Sequence, residues 1–131
     1  MSTILITGAS GGLAQEMVKL LPNDQLILLG RNKEKLAQLY GNHPQAEFVE
    51  IDITDGTVLE TLVAELYQRY GKIDVLINNA GYGIFEDFDK ISDQDIHQMF
   101  EVNTFALMNL SRLVAARMKA TRKGHIINIV S

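Results

Sequence analysis

The chain has 131 residues, of which 47% are hydrophobic and 21% charged, with a formal net charge of −4 and no cysteine. This length suits one domain, and the acidic balance argues against a nucleic-acid-binding protein that relies on a basic surface. The lack of cysteine excludes disulfide scaffolds and thiolate metal sites. The first apolar run is too short for a signal peptide or a membrane span. We therefore expect a soluble, cytoplasmic domain that does not bind membranes.

Five short apolar runs alternate along the chain with longer amphipathic stretches, which is typical of an α/β fold. Most of these runs are continuously apolar, so they predict strands that are buried on both faces, as in a parallel sheet. Right-handed crossovers between such strands give a doubly wound sheet. The predicted strands cover residues 3–7, 26–29, 48–51, 73–77 and 126–130.

Apolar residues at helical spacing predict a helix in each of the first three connections. The first helix ends before Pro22, the second and less regular one covers residues 33–40, and the third stops at Gly71. The residues predicted to face the sheet are Leu13, Met17, Leu20 and Leu21 in the first helix and Leu59, Leu62, Val63, Leu66 and Tyr70 in the third.

The fourth connection predicts one long helix. It opens with a capping pattern, Ser-Asp-Gln-Asp, at Ser92 and ends before Gly124. Seven apolar residues are predicted to share one face of this helix: Ile96, Met99, Phe100, Leu107, Leu110, Val114 and Met118.

A glycine-rich segment joins the first strand to the first helix. Glycine allows the backbone to turn tightly and to approach a pyrophosphate, while a helix N-terminus offers unpaired amide hydrogens to that anion. The order of strand, turn and helix predicts a dinucleotide site, although an ordinary strand-to-helix turn is the alternative. A P-loop is disfavoured because no Gly-Lys-Ser/Thr follows. The predicted contact residues are Gly8, Ser10, Gly11, Gly12 and Leu13.

Arg31 follows the second strand, where an acidic residue would accept hydrogen bonds from the ribose 2′-hydroxyl of NAD. A guanidinium suits a 2′-phosphate through charge-assisted, bidentate hydrogen bonds. The sequence therefore predicts a preference for NADP(H) over NAD(H), with a solvated surface arginine as the alternative. The missing acid also argues against an S-adenosylmethionine methyltransferase.

Asp52 and Ile53 follow the third strand. A carboxylate at this edge of the sheet can accept a hydrogen bond from the amino group of adenine. It can equally form an Asx-type cap for the next helix. Both interpretations stay open at this point.

The fourth strand leads into Asn78-Asn79-Ala80-Gly81, and here the chain resembles the short-chain dehydrogenase/reductase family. The glycine turn, the acidic-apolar pair after strand three, this motif, an Asn in the long helix and a Ser after strand five all occur in the family's order. The resemblance implies a Rossmann-like sheet of strand order 3-2-1-4-5, with the adenosine ribose close to Ala80 and Gly81. The side-chain amides of Asn78 and Asn79 are expected to tie strand ends together and to bond the cofactor.

The resemblance also implies two catalytic residues. Asn103, on the apolar face of the long helix, matches the family's Asn that helps hold an ordered water in a proton relay, whereas the pattern alone predicts a bond to a nearby backbone carbonyl. Ser131 matches the family's catalytic Ser, which hydrogen-bonds the substrate oxygen. The implied reaction is hydride transfer between NADP(H) and a carbonyl or alcohol substrate.

The family's Tyr-x-x-x-Lys motif does not occur in these 131 residues, since no tyrosine has a lysine four positions later. Ala14 also replaces the usual third glycine, which a helix–strand contact should tolerate. We therefore expect residues 1–131 to be a Rossmann domain that lacks its C-terminal strands and helices and is inactive alone. The parent protein is expected to form homo-oligomers. The alternative is a non-enzymatic NADP(H)-binding redox sensor or scaffold. No metal site is expected, because the three histidines are widely spaced.

Overall fold

The computed structural model describes residues 1–84 and 86–129. Five parallel strands form one sheet in the order β3-β2-β1-β4-β5, as predicted. The strands are β1 (Thr3–Ile6), β2 (Gln25–Gly30), β3 (Ala46–Glu50), β4 (Val75–Asn78) and β5 (His125–Asn128). The helices are α1 (Gly12–Lys19), α2 (Lys33–Tyr40), α3 (Gly56–Tyr70), α4 (Asp93–Phe100) and α5 (Ala106–Thr121).

Both faces of the sheet carry a hydrophobic cluster, because side chains alternate along each strand. On β1, Ile4 and Ile6 pack with residues of α1 and α2, whereas Leu5 packs with residues of α3 and α5. The central strands β1 and β4 are almost fully buried. The predicted doubly wound architecture is confirmed, and the carboxyl ends of the strands share one edge of the sheet.

The outer strands are less buried than predicted. The residues of β3 are half-buried or exposed, and all of β5 except Ile126 is exposed. These two strands are the outermost of the five, so each has a neighbour on only one side. Ile126 still packs against the α3/α5 cluster. Val130, which was predicted to belong to the last strand, lies outside the described residues.

The predicted inner face of α1 is partly wrong. Ala14 and Val18 are its buried residues, while Leu13 is 52% exposed and Leu20 is 80% exposed. Ala14 is fully buried in the cluster between the sheet and helices α1 and α2. The residues of α3 that were predicted to face the sheet are buried, except Tyr70, which is partly buried against the same cluster as the rest of α3. Gly71 ends the helix in the left-handed conformation, with a φ of 76°.

The predicted single long helix is interrupted. A π-helical turn, Glu101–Phe105, joins α4 to α5. Ser92 caps α4 as predicted, by accepting a hydrogen bond from the amide of Asp95 (3.0 Å). The prediction that these apolar residues share one buried face is wrong for the first half of the segment, because Ile96 and Phe100 are exposed. It is correct for Leu110, Val114 and Met118 of α5, which are buried. Among the helices and strands of the described part of the chain, α4 makes its main contacts with the π-helical turn.

Residues 1–84 and 86–129 include no helix of the length and apolarity that crossing a membrane requires.

One carboxylate links the starts of two central strands and gives a pH-dependent prediction. Asp74 accepts a hydrogen bond from the amide of Thr3 (2.8 Å) and lies 2.9 Å from the Lys72 ammonium. Burial opposes ionisation, but the Thr3 hydrogen bond and the Lys72 charge hold the pKa of Asp74 below its usual value. A lowered folded-state pKa stabilises the fold above the unfolded-state pKa of about 4, and this contribution is lost as the pH falls through the folded-state pKa.

We therefore expect Asp74→Asn to lower the free energy of unfolding at pH 7 by about 1 kcal/mol. The difference from the wild type should shrink as the pH falls through the folded-state pKa of Asp74 and should disappear once that carboxyl is protonated. Urea unfolding between pH 2 and 7 measures this, with Asp87→Asn as a control, since the Asp87 side chain is 72% exposed. A pH-independent difference would contradict the assignment.

Candidate functional site

The candidate residues lie in the loops at the carboxyl ends of β1, β2, β3 and β4. The order of the strands reverses between β1 and β4, so the loops that follow these two strands flank a crevice. Sequentially distant segments meet there. Crevices of this kind are where open α/β sheets bind ligands.

The turn after β1 directs its backbone carbonyls into the protein. The carbonyl of Gly8 accepts from the Asn79 side-chain amide (3.1 Å), that of Ala9 from the Tyr40 hydroxyl, and that of Ser10 from the Gln15 side-chain amide (3.3 Å). The amides of Ala9 and Gly11 are bonded to the carbonyls of Leu29 and Gly8, whereas the amide of Ser10 donates to no protein group in the described part of the chain and is available to an anion.

The first amides of α1 extend this site. The N-cap residue Gly11 has no side chain that could bond them, and the first turn of α1 holds no acidic residue. By contrast, α2, α3 and α4 are capped by the side chains of Asn32, Asp55 and Ser92. The amides at the start of α1 therefore remain available to an external acceptor, together with the positive end of the helix dipole.

Gly8 shapes the turn through its contact with the loop after β4. Its φ is +60°, and a Cβ atom there would lie 2.7 Å from the Cα of Ala80. The Thr7 hydroxyl completes the contact by accepting hydrogen bonds from the amides of Asn79 (3.0 Å) and Ala80 (2.9 Å). Gly12 differs, because a Cβ atom there would meet nothing within 4 Å. Gly8 is thus required by packing, while Gly12 borders open space.

Asn78, the last residue of β4, holds the neighbouring elements together. It is 3% exposed, and its side-chain amide donates to the Ser111 hydroxyl and to the Asn128 side-chain oxygen, each at 2.9 Å. These bonds connect β4 to α5 and β5. The amides of Asn78 and Asn79 therefore tie strand ends together, as the sequence predicted.

Arg31 is exposed and follows β2 directly, between the strand and Asn32, which caps α2. The guanidinium lies close enough to the next strand's loop to influence Asp52. The pKa of Asp52 is lowered mainly by hydrogen bonds from the Thr54 hydroxyl (2.6 Å) and amide (3.0 Å), and to a lesser extent by Arg31. The carboxyl edge of the sheet therefore carries the Asp52 carboxylate near the Arg31 guanidinium, and the Glu50 carboxylate, which accepts from the Lys33 amide (3.0 Å), lies at the end of β3.

The alternative in which Asp52 caps the next helix is wrong, because Asp55 caps α3 by accepting from the amides of Thr57 and Val58. Asp52 instead closes a local Asx turn with Thr54. Ile53 lines a narrow apolar cleft together with Thr7, Ala80 and residues of the π-helical turn and α5. Asp52 and Ile53, which follow β3, thus lie beside the crevice.

Asn103 lies in the π-helical turn and bonds the loop after β4 at two points. Its side-chain amide donates to the carbonyl of Tyr82 (2.7 Å), and its side-chain oxygen accepts from the amide of the same residue (2.9 Å). A Cβ atom on Gly81 would come within 2.9 Å of that oxygen. The residue pattern alone predicted a backbone carbonyl as the partner of Asn103, and the structure has that bond.

Ser131 lies outside the described residues. Three residues that position the site were not predicted to do so: Thr7, Tyr40 and Ser111. Thr7 opens the glycine motif and could have been suspected from that place. Nothing in the sequence indicates that Tyr40 or Ser111 reaches its partner, which is 31 residues away in one case and 33 in the other.

Comparison with known proteins gives a consistent result. A family model described as short chain dehydrogenase matches residues 2–131. An uncharacterized oxidoreductase of Staphylococcus saprophyticus is 34% identical over 133 residues, which cover 98% of this chain and 54% of that protein. The chain spans about half the length of the curated relatives it matches.

Two solved structures share the fold over almost the whole chain. A short-chain dehydrogenase from Streptomyces avermitilis superposes with a TM-score of 0.92 at 31% identity, over 99% of this chain and 49% of that one. A metagenomic short-chain oxidoreductase in complex with NADP superposes with a TM-score of 0.90 at 28% identity, over 99% of this chain and 62% of that one.

The contrast between the glycines of the turn can be tested by mutation. Gly8→Ala should lower the free energy of unfolding by at least about 2 kcal/mol, because it adds a left-handed residue with a Cβ and forces the turn away from Ala80. Gly12→Ala should leave stability unchanged or raise it by up to about 1 kcal/mol, because alanine favours the first turn of a helix. Thermal and urea unfolding measure both, and equal losses would contradict the packing role of Gly8.

Proposed function

Since this chain belongs to the short-chain dehydrogenase/reductase family, we propose that it binds NADP(H) at the carboxyl edge of its sheet. In the parent protein, this chain holds the cofactor for hydride transfer between the nicotinamide and a small carbonyl or alcohol substrate. The observation that carries the proposal is the turn at residues 8–10, whose three carbonyls are all bonded inside the protein. The amide of Ser10 and the first amides of α1 then face the pyrophosphate.

Each part of the cofactor has matching residues in this chain. The amides of Ser10, Gly12 and Leu13 are assigned to the pyrophosphate, and Gly12 leaves room for it. Gly11 is assigned a contact with the same group as the N-cap of α1, with its own amide bonded to the Gly8 carbonyl. Arg31 supplies the positive charge for a 2′-phosphate, which favours NADP(H) over NAD(H). The remaining contacts are assigned to Gly8 in the turn, to Asp52 and Ile53 at the adenine, and to Asn79, Ala80 and Gly81 at the ribose.

The bound cofactor would supply or accept the hydride, and the protein's own residues would position the reactants. Asn103 holds the backbone of Tyr82 from both sides and so fixes the loop that borders the crevice. We assign it the family's role of helping to hold an ordered water. We assign Ser131 the role of donating a hydrogen bond to the substrate oxygen. The complex of a related structure with NADP supports the choice of cofactor.

We further propose that residues 1–131 constitute the cofactor-binding Rossmann domain and do not turn over substrate by themselves. The general acid of this chemistry in the family is the Tyr of Tyr-x-x-x-Lys, and this motif is absent from the 131 residues. The assembly of the parent protein into homo-oligomers stays a prediction.

A second candidate function is a redox sensor or scaffold that binds NADP(H) without catalysis. The two candidates differ in the parent gene: an enzyme has the Tyr-x-x-x-Lys motif downstream of Ser131, and a sensor lacks it.

The role of Arg31 predicts a change in cofactor selectivity. Arg31→Ala should weaken NADPH binding about 10- to 100-fold, because charge-assisted hydrogen bonds to a phosphate are lost. NADH binding should change less than about twofold, because NADH has no 2′-phosphate. Fluorescence titration or calorimetry measures both affinities. Arg112→Ala is the control, since it removes the same charge from the exposed surface of α5. Equal losses for the two cofactors would overturn the assignment.

The absence of turnover gives a separate test. The 131-residue chain should bind NADPH but should not oxidise it above the rate without protein when offered a panel of ketones, aldehydes and quinones. Absorbance at the NADPH band follows the reaction, and a titration on the same sample shows that cofactor is bound. Robust, substrate-dependent oxidation would refute the proposed inactivity of the isolated chain.

A further inference from the structure

Tyr40, the last residue of α2, is joined to the glycine turn. Its hydroxyl donates a hydrogen bond to the carbonyl of Ala9, 31 residues earlier in the chain. Tyr40 is 6% exposed and Ala9 is fully buried. Burial raises the pKa of the Tyr40 hydroxyl, so the group remains a proton donor at neutral pH. This bond lies beneath the turn, on the side away from the crevice.

We infer that Tyr40 is a positioning residue for the phosphates of NADP(H), acting through the peptide bond between Ala9 and Ser10. The inference rests on the proposed function and deepens it. A trans peptide group is planar, and its carbonyl and amide point in opposite directions. By holding the Ala9 carbonyl inward, the Tyr40 hydroxyl turns the Ser10 amide outward.

The Ser10 amide is suited to an external acceptor. In the described part of the chain it donates to no protein group, whereas the next amide, that of Gly11, bonds the Gly8 carbonyl (3.1 Å). The preceding peptide group, between Gly8 and Ala9, is held separately, because the amide of Ala9 donates to the carbonyl of Leu29 (3.0 Å). Tyr40 thus completes a set of bonds that leaves one amide directed at the ligand.

The hydroxyl is separable from the packing role of the ring. The ring of Tyr40 belongs to the cluster between the sheet and α1 and α2, and it lines a surface groove of about 320 Å³ together with Val18 and His43. A phenylalanine fills the same volume but leaves the Ala9 carbonyl without its donor. The peptide group is then free to rotate, and the Ser10 amide loses its fixed direction.

The test is Tyr40→Phe in the full 131-residue chain, with two ligands. NADPH contains the pyrophosphate, whereas adenosine 2′-monophosphate contains the adenine, its ribose and the 2′-phosphate but no pyrophosphate. Calorimetry should show about a tenfold weaker affinity for NADPH and no more than about a twofold change for adenosine 2′-monophosphate. A residue that only stabilises the fold would not separate the two ligands.

Tyr70→Phe is the matched control. The Tyr70 hydroxyl also donates a hydrogen bond, to Glu47 near the start of β3, at the opposite edge of the sheet from the turn. Burial and Glu47 raise the pKa of Tyr70 to about 12, so this hydroxyl is likewise a donor. The Tyr70→Phe variant should lose stability but keep the affinity of the wild type for NADPH.

A direct readout on the wild type covers the case in which Tyr40→Phe does not fold. In a ¹⁵N NMR titration, the Ser10 amide proton should move downfield when NADPH saturates the protein and should move much less with adenosine 2′-monophosphate. An unmoved Ser10 signal overturns the inference, as does an unchanged NADPH affinity in Tyr40→Phe or an equal loss for both ligands. If the wild type itself does not bind NADPH, the proposed function fails with it.

Discussion

The close contact between the turn after β1 and the loop after β4 is the constraint on which the site depends. Gly8 can take its left-handed conformation against Ala80 only because it has no side chain. The buried Thr7 hydroxyl satisfies two amides of the facing loop, which would otherwise be costly to bury. Two loops separated by about 70 residues therefore form a single surface, whose position is fixed by the two central strands beneath it.

This arrangement divides the polar groups of the turn between protein and solvent. The three inward carbonyls are satisfied by side chains from β4's loop, from α2 and from α1. The Ser10 amide has no such partner in the described part of the chain, and it lies next to the N-terminus of α1, where the helix dipole adds positive potential. The same hydrogen bonds that stabilise the turn thus leave this amide available to an anion.

Several features could be read from local sequence because short-range physics determines them. The runs of β-branched and aliphatic residues gave the strands and the doubly wound topology, and Gly71 and Ser92 marked helix ends. The errors occurred where tertiary contacts decide. α1 turns Ala14 rather than Leu13 towards the sheet, and the interruption at Glu101–Phe105 breaks the common face expected for Ile96 and Leu110.

For the site itself, the sequence determined which residue types stand at the ends of the strands: the glycines of the turn, Arg31, and the amides after β4. It could do so because motif order and the parallel topology place all strand ends at one edge. Only the tertiary structure decided which residues contact one another at the site, such as the hydrogen bonds from Tyr40 to the Ala9 carbonyl and from Asn103 to the Tyr82 carbonyl. Those bonds join residues more than 20 positions apart, and their geometry depends on how the helices pack, which no local pattern encodes.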